Sequence, residues 1–200
     1  MITLGTQYLE NIHSNAESIT RWKSWLANYH FHDEYRDDAH IWLSCILALE
    51  AVSAGNFGVG CILINESGDV ILAGHNEVFT PYFRSDRHAE MVVIDAYEDS
   101  FQDTPTMKGH VLYTSLEPCP MCLARLIMSG IPTVLYAALD SHGGMVQKVR
   151  EFPPSFIQFS EGHVFDQAQC SQELIQAAFD IFSINRNEMR SKLQARQAER

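Results

Sequence analysis

The sequence predicts an α/β layer fold, and three observations carry that prediction. Two apolar runs joined by a polar, glycine-containing segment give a hairpin signal near the middle of the chain. Beyond it, short buried-strand runs alternate with helix-period patterns. That alternation argues for parallel strand pairs in the second half, because parallel neighbours need a crossover between them.

The elements can be justified in order. Ile19, Trp22, Leu26 and Tyr29 recur at helical spacing, so residues 15–30 are expected to form an amphipathic helix. The polar stretch His30 to Asp38 breaks the pattern. A second helix follows, with Ile41, Cys45, Leu49 and Val52 on one face, Trp42 and Ile46 beside them, and Gly55 as terminator. Phe57 to Ile64 and Val70 to Gly74 are the hairpin strands, joined by Asn65-Glu66-Ser67-Gly68-Asp69. A helix is expected to open at His88 and run through Met91, Ile94 and Tyr97. Val111 to Ser115 reads as a buried strand, Cys119 to Ser129 as a helix, and Thr133 to Leu139 as another strand. Ile157 to Phe159 is assigned a short edge strand. The last helix carries Leu174, Ile175, Ala178, Phe179 and Phe182, then turns basic and polar and is expected to fray.

Composition narrows the class. At 200 residues, with 46% apolar and 20% charged, the chain has ordinary globular composition and ample material for a core. No basic-then-apolar N-terminal segment reads as a signal peptide, and no apolar stretch approaches a membrane span; the expected location is the cytoplasm. Net charge is −11, unevenly spread. From Arg186 onward, Arg186, Arg190, Lys192, Arg196 and Arg200 stand against Glu188 and Glu199, which leaves the rest of the chain at −14. Such a body repels phosphates, whose binding relies on Lys and Arg displacing counterions. Only the tail suits that task.

Five cysteines is an odd number, and two of them form Cys119-Pro120-Met121-Cys122. In a reducing compartment that spacing suggests metal or redox chemistry sooner than a disulfide framework. Cys45 and Cys61 fall inside apolar runs and read as buried thiols, whereas Cys170 precedes a helix and is left unassigned.

The segments His88-Ala89-Glu90 and Pro118-Cys119-Pro120-Met121-Cys122 should each open a helix after a strand or loop. In an α/β sheet such openings lie at one end of adjacent parallel units, where ligands usually bind. One imidazole and two thiolates then converge, and helix N-termini favour thiolate over thiol. Three protein ligands, His88, Cys119 and Cys122, leave the fourth tetrahedral position of a zinc ion for water, the catalytic arrangement. Zinc lowers that water's pKa and supplies a hydroxide nucleophile. Glu90 is placed facing the open position as the proton carrier. A His-x-Glu triplet alone is weak evidence, and Cys-Pro-Met-Cys alone also fits a thiol–disulfide site. The redox reading, however, leaves His88 and Glu90 without a role.

The joint order of these motifs resembles the signature of the zinc-dependent deaminases in the cytidine deaminase-like superfamily. The similar branch is that of guanine deaminases, tRNA adenosine deaminases and related nucleoside deaminases. The resemblance runs over residues 38–140, through Phe57-Gly58-Val59, Gly74-His75-Asn76, His88-Ala89-Glu90 and Thr114 to Cys122. It implies a three-layer α/β/α fold with a mixed five-stranded sheet, one zinc ion per chain, and assembly as a homodimer. Together with the helical pattern before it and the basic run after it, the chain is read as an N-terminal helical extension over 1–36, a deaminase domain over 37–185 and a basic helix end or tail over 186–200.

By the same resemblance, Asn76 would hydrogen-bond the base or its ribose, Phe57 and Gly58 would wall the pocket, and the Ala89 N–H would touch the substrate. Glu117 and Pro118 would stand behind the metal ligands. Each has a plainer alternative: Asn76 as a turn residue, Phe57 as core packing, Glu117 as a solvated or capping carboxylate. His75 and His110 read as ordinary histidines. This chain has Asn56-Phe57-Gly58-Val59 where relatives often read Pro-Phe-Gly-Ala. The stretch holding Phe79, Tyr82, Phe83, Arg84, Asp86 and Arg87 reads as a specificity loop or a plain surface loop. Phe152, Phe156 and Phe159 are candidates to close the pocket from the C-terminal side.

The function these features imply is hydrolytic removal of an exocyclic amino group from a nucleobase, nucleoside or related small heterocycle, releasing ammonia. The acidic body favours a small molecule. The alternative is wobble-position adenosine-to-inosine deamination of tRNA, which Phe179-Asp180-Ile181-Phe182 and the following Arg186, Arg190 and Lys192 would suit. A non-catalytic zinc or Cys-x-x-Cys redox module is the alternative from another class.

Overall fold

The computed structural model describes residues 1–103 and 106–198. Along these run α1 (Ile2–Asn11), α2 (Glu17–Ala27), α3 (Asp38–Ser53), β1 (Gly60–Ile64), β2 (Val70–His75), α4 (Ala89–Ser100), β3 (Val111–Leu116), α5 (Pro120–Ser129), β4 (Thr133–Ala138), a short 3-10 helix (Val146–Glu151), α6 (Pro154–Ser160), β5 (Val164–Gln167), α7 (Gln172–Ser183) and α8 (Arg186–Ala198). The strands form one five-stranded sheet in the order β2-β1-β3-β4-β5. The β1 strand pairs antiparallel with both β2 and β3, and β3-β4-β5 run parallel. The sheet is therefore mixed, as the family resemblance implies.

Side-chain alternation places helices on both faces. At Gly60, an added Cβ would meet the backbone of Ser44 and Ala48, so α3 lies against that face. Cys61 pairs with Gly74, whose own Cβ position abuts Val92 and Val93 of α4. Since Gly60 and Cys61 point to opposite faces, α3 and α4 sandwich the hairpin. The α3 helix is apolar almost all round, as a helix covered on every side must be; Ile41 to Leu49 are buried, as are Ala51 and Val52. The sheet and α7 cover one side of it, and α1 and α2 the other. Leu9, Ile12, Ile19 and Leu26 thus share a core with the sheet.

Buried carboxylates fix the start of α3. Asp37 accepts from the Tyr113 hydroxyl (2.9 Å) and from Gln169 N (2.7 Å). Asp38 accepts from Ser171 N (2.7 Å) and the Tyr29 hydroxyl (2.7 Å). Both sit at a helix N-terminus, where free N–H groups favour negative charge.

Several expectations shift. Ile157 to Phe159 lie inside α6, and the edge strand is Val164–Gln167 instead. Pro154 explains the difference: its fixed φ suits the first helical position. The basic run from Arg186 forms a separate helix, α8, whose Met189 is buried, where fraying was expected; Glu199 and Arg200 lie outside the described residues. Within the expected N-terminal helical extension, residues Ile2–Asn11 form a helix of their own, α1, ahead of the one read from Ile19 to Tyr29. The openings of α4 and α5 follow β2 and β3, which point the same way but have β1 between them and are not adjacent. Gly55, with φ +81°, ends α3 as expected.

Replacing Gly60 with Ala forces a methyl into the α3 backbone. We expect about 2 kcal/mol or more of lost stability, typical of overpacking, read as a lower denaturant midpoint; unchanged stability would contradict the close α3–β1 approach.

Candidate active site

The sequence-predicted motifs meet. His88 is the N-cap of α4 and Cys119 the N-cap of α5, both with extended backbone, and Pro120 follows at the first helical position. His88 Nδ1 lies 3.6 Å from Cys119 Sγ and 3.5 Å from Cys122 Sγ, and the three donor atoms lie within 4.8 Å of one another. A tetrahedral zinc ion with bonds of about 2.3 Å to sulfur and about 2.0 Å to nitrogen would set those edges near 3.6 Å. The donor set and its spacing therefore fit zinc. Among the described residues this is the one cluster of its kind, and His75 and His110 stand outside it, each with Nδ1 3.0 Å from a backbone carbonyl.

Glu90 lies on the first turn of α4 and is buried at 4% exposure. Its Oε2 is 3.4 Å from Cys122 Sγ, and its Oε1 is 3.5 Å from the Thr114 hydroxyl. Burial pushes its carboxyl above the ordinary range, and the nearby Cys119 adds to this. Cys119 is held as thiolate, its pKa brought down to about 4 by the hydrogen bond from Cys122 and by contact with His88. Cys122 is pushed up by that same bond and by burial. The other cysteines are buried thiols; burial raises all three, Cys170 to about 12.

A half-open cavity of about 190 Å³ adjoins the cluster, lined by Phe57, Val59, Asn76, His88, Glu90, Leu116, Glu117, Cys119, Asp140, Phe182, Arg190 and Leu193. Asn76 serves two purposes: its Oδ1 accepts from Val78 N at 3.2 Å, closing a turn, while the residue lines the cavity. Phe57 forms part of the wall. Gly58 does not line the cavity; a Cβ there would meet Ile181 O and Val52, so it lets α7 approach α3. Ala89 is fully buried at the first position of α4, where no helix carbonyl reaches its N–H.

Glu117 and Pro118 act behind the cluster by holding the loop after β4. Glu117 accepts from Gln147 N (3.1 Å) and Asp140 N (3.2 Å), and the Pro118 carbonyl accepts from Met145 N (2.9 Å). Phe152 and Phe156 belong to a second core cluster with Leu123 and Tyr136, and Phe159 is exposed. None of the three closes the cavity. Phe182 of α7 and Leu193 of α8 do so.

Sequence reading missed Asn56. Its buried Oδ1 accepts from Phe79 N (2.7 Å) and Thr80 N (3.1 Å), and its carbonyl accepts from Asn185 Nδ2 (2.7 Å). It thereby ties the 77–87 loop and the α7–α8 junction to the cavity rim. That loop is also braced by ion pairs of Arg87 with Glu77 (2.7 Å) and Asp95 (3.4 Å).

The comparisons with known proteins agree with this geometry. A five-stranded mixed sheet with a His-Cys-Cys donor set beside a buried glutamate defines a zinc-hydrolase type of centre. The model of the cytidine and deoxycytidylate deaminase zinc-binding region matches residues 35–138, and the chain belongs to that family. It is 37% identical over 97 residues to the tRNA-specific adenosine deaminase of Bacillus subtilis, covering 48% of this chain and 58% of that protein. It is 35% identical over 99 residues to the guanine deaminase of Bacillus subtilis, covering 46% and 58%. The chain thus spans about three fifths of these relatives' length. Among solved structures, one from a study of A-to-I editing by tRNA:A34 deaminases superposes with a TM-score of 0.59 at 27% identity, covering 72% of this chain and 99% of that one. The guanine deaminase of Nitrosomonas europaea, at 19% identity and a TM-score of 0.56 over 87% and 97%, shares the fold.

Replacing Asn56 with Ala leaves two loop N–H groups without their acceptor. We expect a loss of about 1–3 kcal/mol in chemical denaturation, with faster amide exchange at Phe79 and Thr80; unaltered exchange there would refute the anchoring role.

Proposed function

We propose that the chain is a zinc-dependent hydrolytic deaminase acting on the exocyclic amino group of a nucleobase, nucleoside or related small heterocycle. The observation that carries this is the buried Glu90 carboxyl touching the His88–Cys119–Cys122 cluster at the wall of a cavity. Zinc held by those three donors would supply water activation at neutral pH. Glu90 then moves two protons: it takes one from the attacking water and delivers it to the ring nitrogen, then takes the second from the hydroxyl now on the ring carbon and delivers it to the amine, which leaves as ammonia as the carbonyl forms. Asn76 offers an amide donor at the cavity wall, and Phe57, Val59 and Leu116 offer apolar walls for a flat ring.

A small substrate is favoured by the acidic body, −11 overall, and by the limited cavity volume. Adenosine deamination in tRNA is the second reading, favoured by the named relatives and by the cations of α8 near the cavity mouth. Against it, Lys192 pairs with Glu188 at 2.8 Å and Arg196 stacks over the Phe83 ring at 3.7 Å, so neither stands free. A cytoplasmic location fits the five free cysteines, and among the described residues no helix is long and apolar enough to cross a membrane. A homodimer is supported by the exposed Met121 and Met128, seven positions apart on the outer side of α5.

Two substitutions separate metal binding from proton transfer. Glu90→Gln should keep one zinc per chain and lose at least about 10²-fold in ammonia release, the scale of a lost general acid–base. Cys119→Ala should lower zinc content and thermal stability together. An active Glu90→Gln, or full zinc occupancy in Cys119→Ala, would refute the respective assignments. An ammonia-release screen over guanine, adenine, cytosine, their nucleosides and an anticodon stem-loop RNA identifies the substrate.

A further inference from the structure

The cavity beside the zinc donors is lined by a single Lys or Arg among the described residues, Arg190 of α8. It occupies the inner face of that helix. Met189 is buried, Arg190 and Leu193 are half-buried, and Asn187, Glu188 and Lys192 point outward. A cation on an inward face is costly unless it is paired.

The other α8 cations have partners. Arg186 stacks over Phe182, Lys192 pairs with Glu188, and Arg196 lies over Phe83. Among the described residues Arg190 makes no ion pair and no side-chain hydrogen bond, although Glu117 and Asp140 line the same cavity. Those carboxylates accept backbone N–H groups instead. Both Glu117 oxygens accept backbone N–H groups, and Asp140 Oδ1 accepts from His142 N at 3.1 Å. The guanidinium is thus a cation at a ligand cavity, with its fork of donors unspent among the described residues.

At about 190 Å³ the cavity is small beside the roughly 300–1,000 Å³ of ordinary ligand pockets. It has room for a heterocycle whose substituent leaves through the mouth, where α8 lies. We propose that Arg190 binds the phosphate of a nucleoside monophosphate whose base occupies the cavity, so that the substrate is a free nucleotide. This rests on the deaminase reading. Planar guanidinium matches phosphate oxygens two at a time. A single phosphate at the mouth has this cation to pair with beside the Glu117 and Asp140 carboxylates, whereas a polyanion must also approach the rest of the acidic body.

The test measures equilibrium binding of CMP, AMP and GMP, the corresponding nucleosides, inorganic phosphate and an anticodon stem-loop RNA. Binding is measured on zinc-loaded protein carrying Glu90→Gln, with and without Arg190→Gln, and ammonia release on protein with Glu90 intact. For at least one base the monophosphate should bind tighter than its nucleoside by roughly tenfold to a hundredfold, the worth of a charged hydrogen bond. Arg190→Gln should remove most of that advantage, weakening the nucleotide far more than the nucleoside, and should raise KM for the nucleotide more than it lowers kcat.

The proposal is overturned if phosphate gives no advantage or if only the RNA binds. Equal weakening of nucleoside and nucleotide by Arg190→Gln also overturns it, since that marks a stem packed against the cavity with its head in solvent. A phosphate advantage without ammonia release from any compound would fell the deaminase reading and leave Arg190 as a nucleotide-binding residue. Ammonia release without a phosphate advantage would do the reverse.

Discussion

Two helix N-termini meeting beyond one end of the sheet are the constraint on which the site depends. His88 and Cys119 are 31 positions apart, yet each caps a helix and their donor atoms are 3.6 Å apart. This is possible because β2 and β3 run in the same direction on either side of β1. The antiparallel β1 acts as a spacer, and α3 fixes its position through the close contact at Gly60. Moving either strand by one residue would turn its side chains to the other face and separate the imidazole from the thiolates.

Placing these groups there has an electrostatic logic. A thiolate, a carboxyl and an imidazole in a buried cluster are unfavourable without compensation. The unpaired N–H groups at the openings of α4 and α5 offset part of that penalty for Cys119. Glu90 receives less help, and its carboxyl is pushed up by burial. One end of the sheet therefore holds a stabilised thiolate beside a buried carboxyl, two states set by environment. Glu117 uses its charge differently: its two oxygens organise the loop after β4.

Much of this was legible in the sequence because it is local. The helix openings at His88 and Cys119 follow from chain pattern, as do the hairpin around Asn65 to Asp69 and the apolar α3. What escaped depends on contacts between distant segments. Nothing near Asn56 in sequence shows that its side chain will receive Phe79 N and Thr80 N. Phe182, Arg190 and Leu193 reach the cavity only because α7 packs on α3 and α8 turns back across the mouth. Ile157 to Phe159 misled because three apolar-rich residues fit a strand as well as a helix, and Pro154 settled the matter locally. Gly58 shows the opposite error: a residue assigned to the pocket wall is needed for α7 packing.

The most direct test of the central claim is X-ray absorption at the zinc edge of the metal-loaded chain. The geometry calls for two sulfur ligands at about 2.3 Å, one imidazole nitrogen at about 2.0 Å and one further light atom, the mark of an open catalytic position. A site with three or four sulfurs, a second imidazole closing the fourth position, or no zinc bound to protein with both thiols reduced would contradict it.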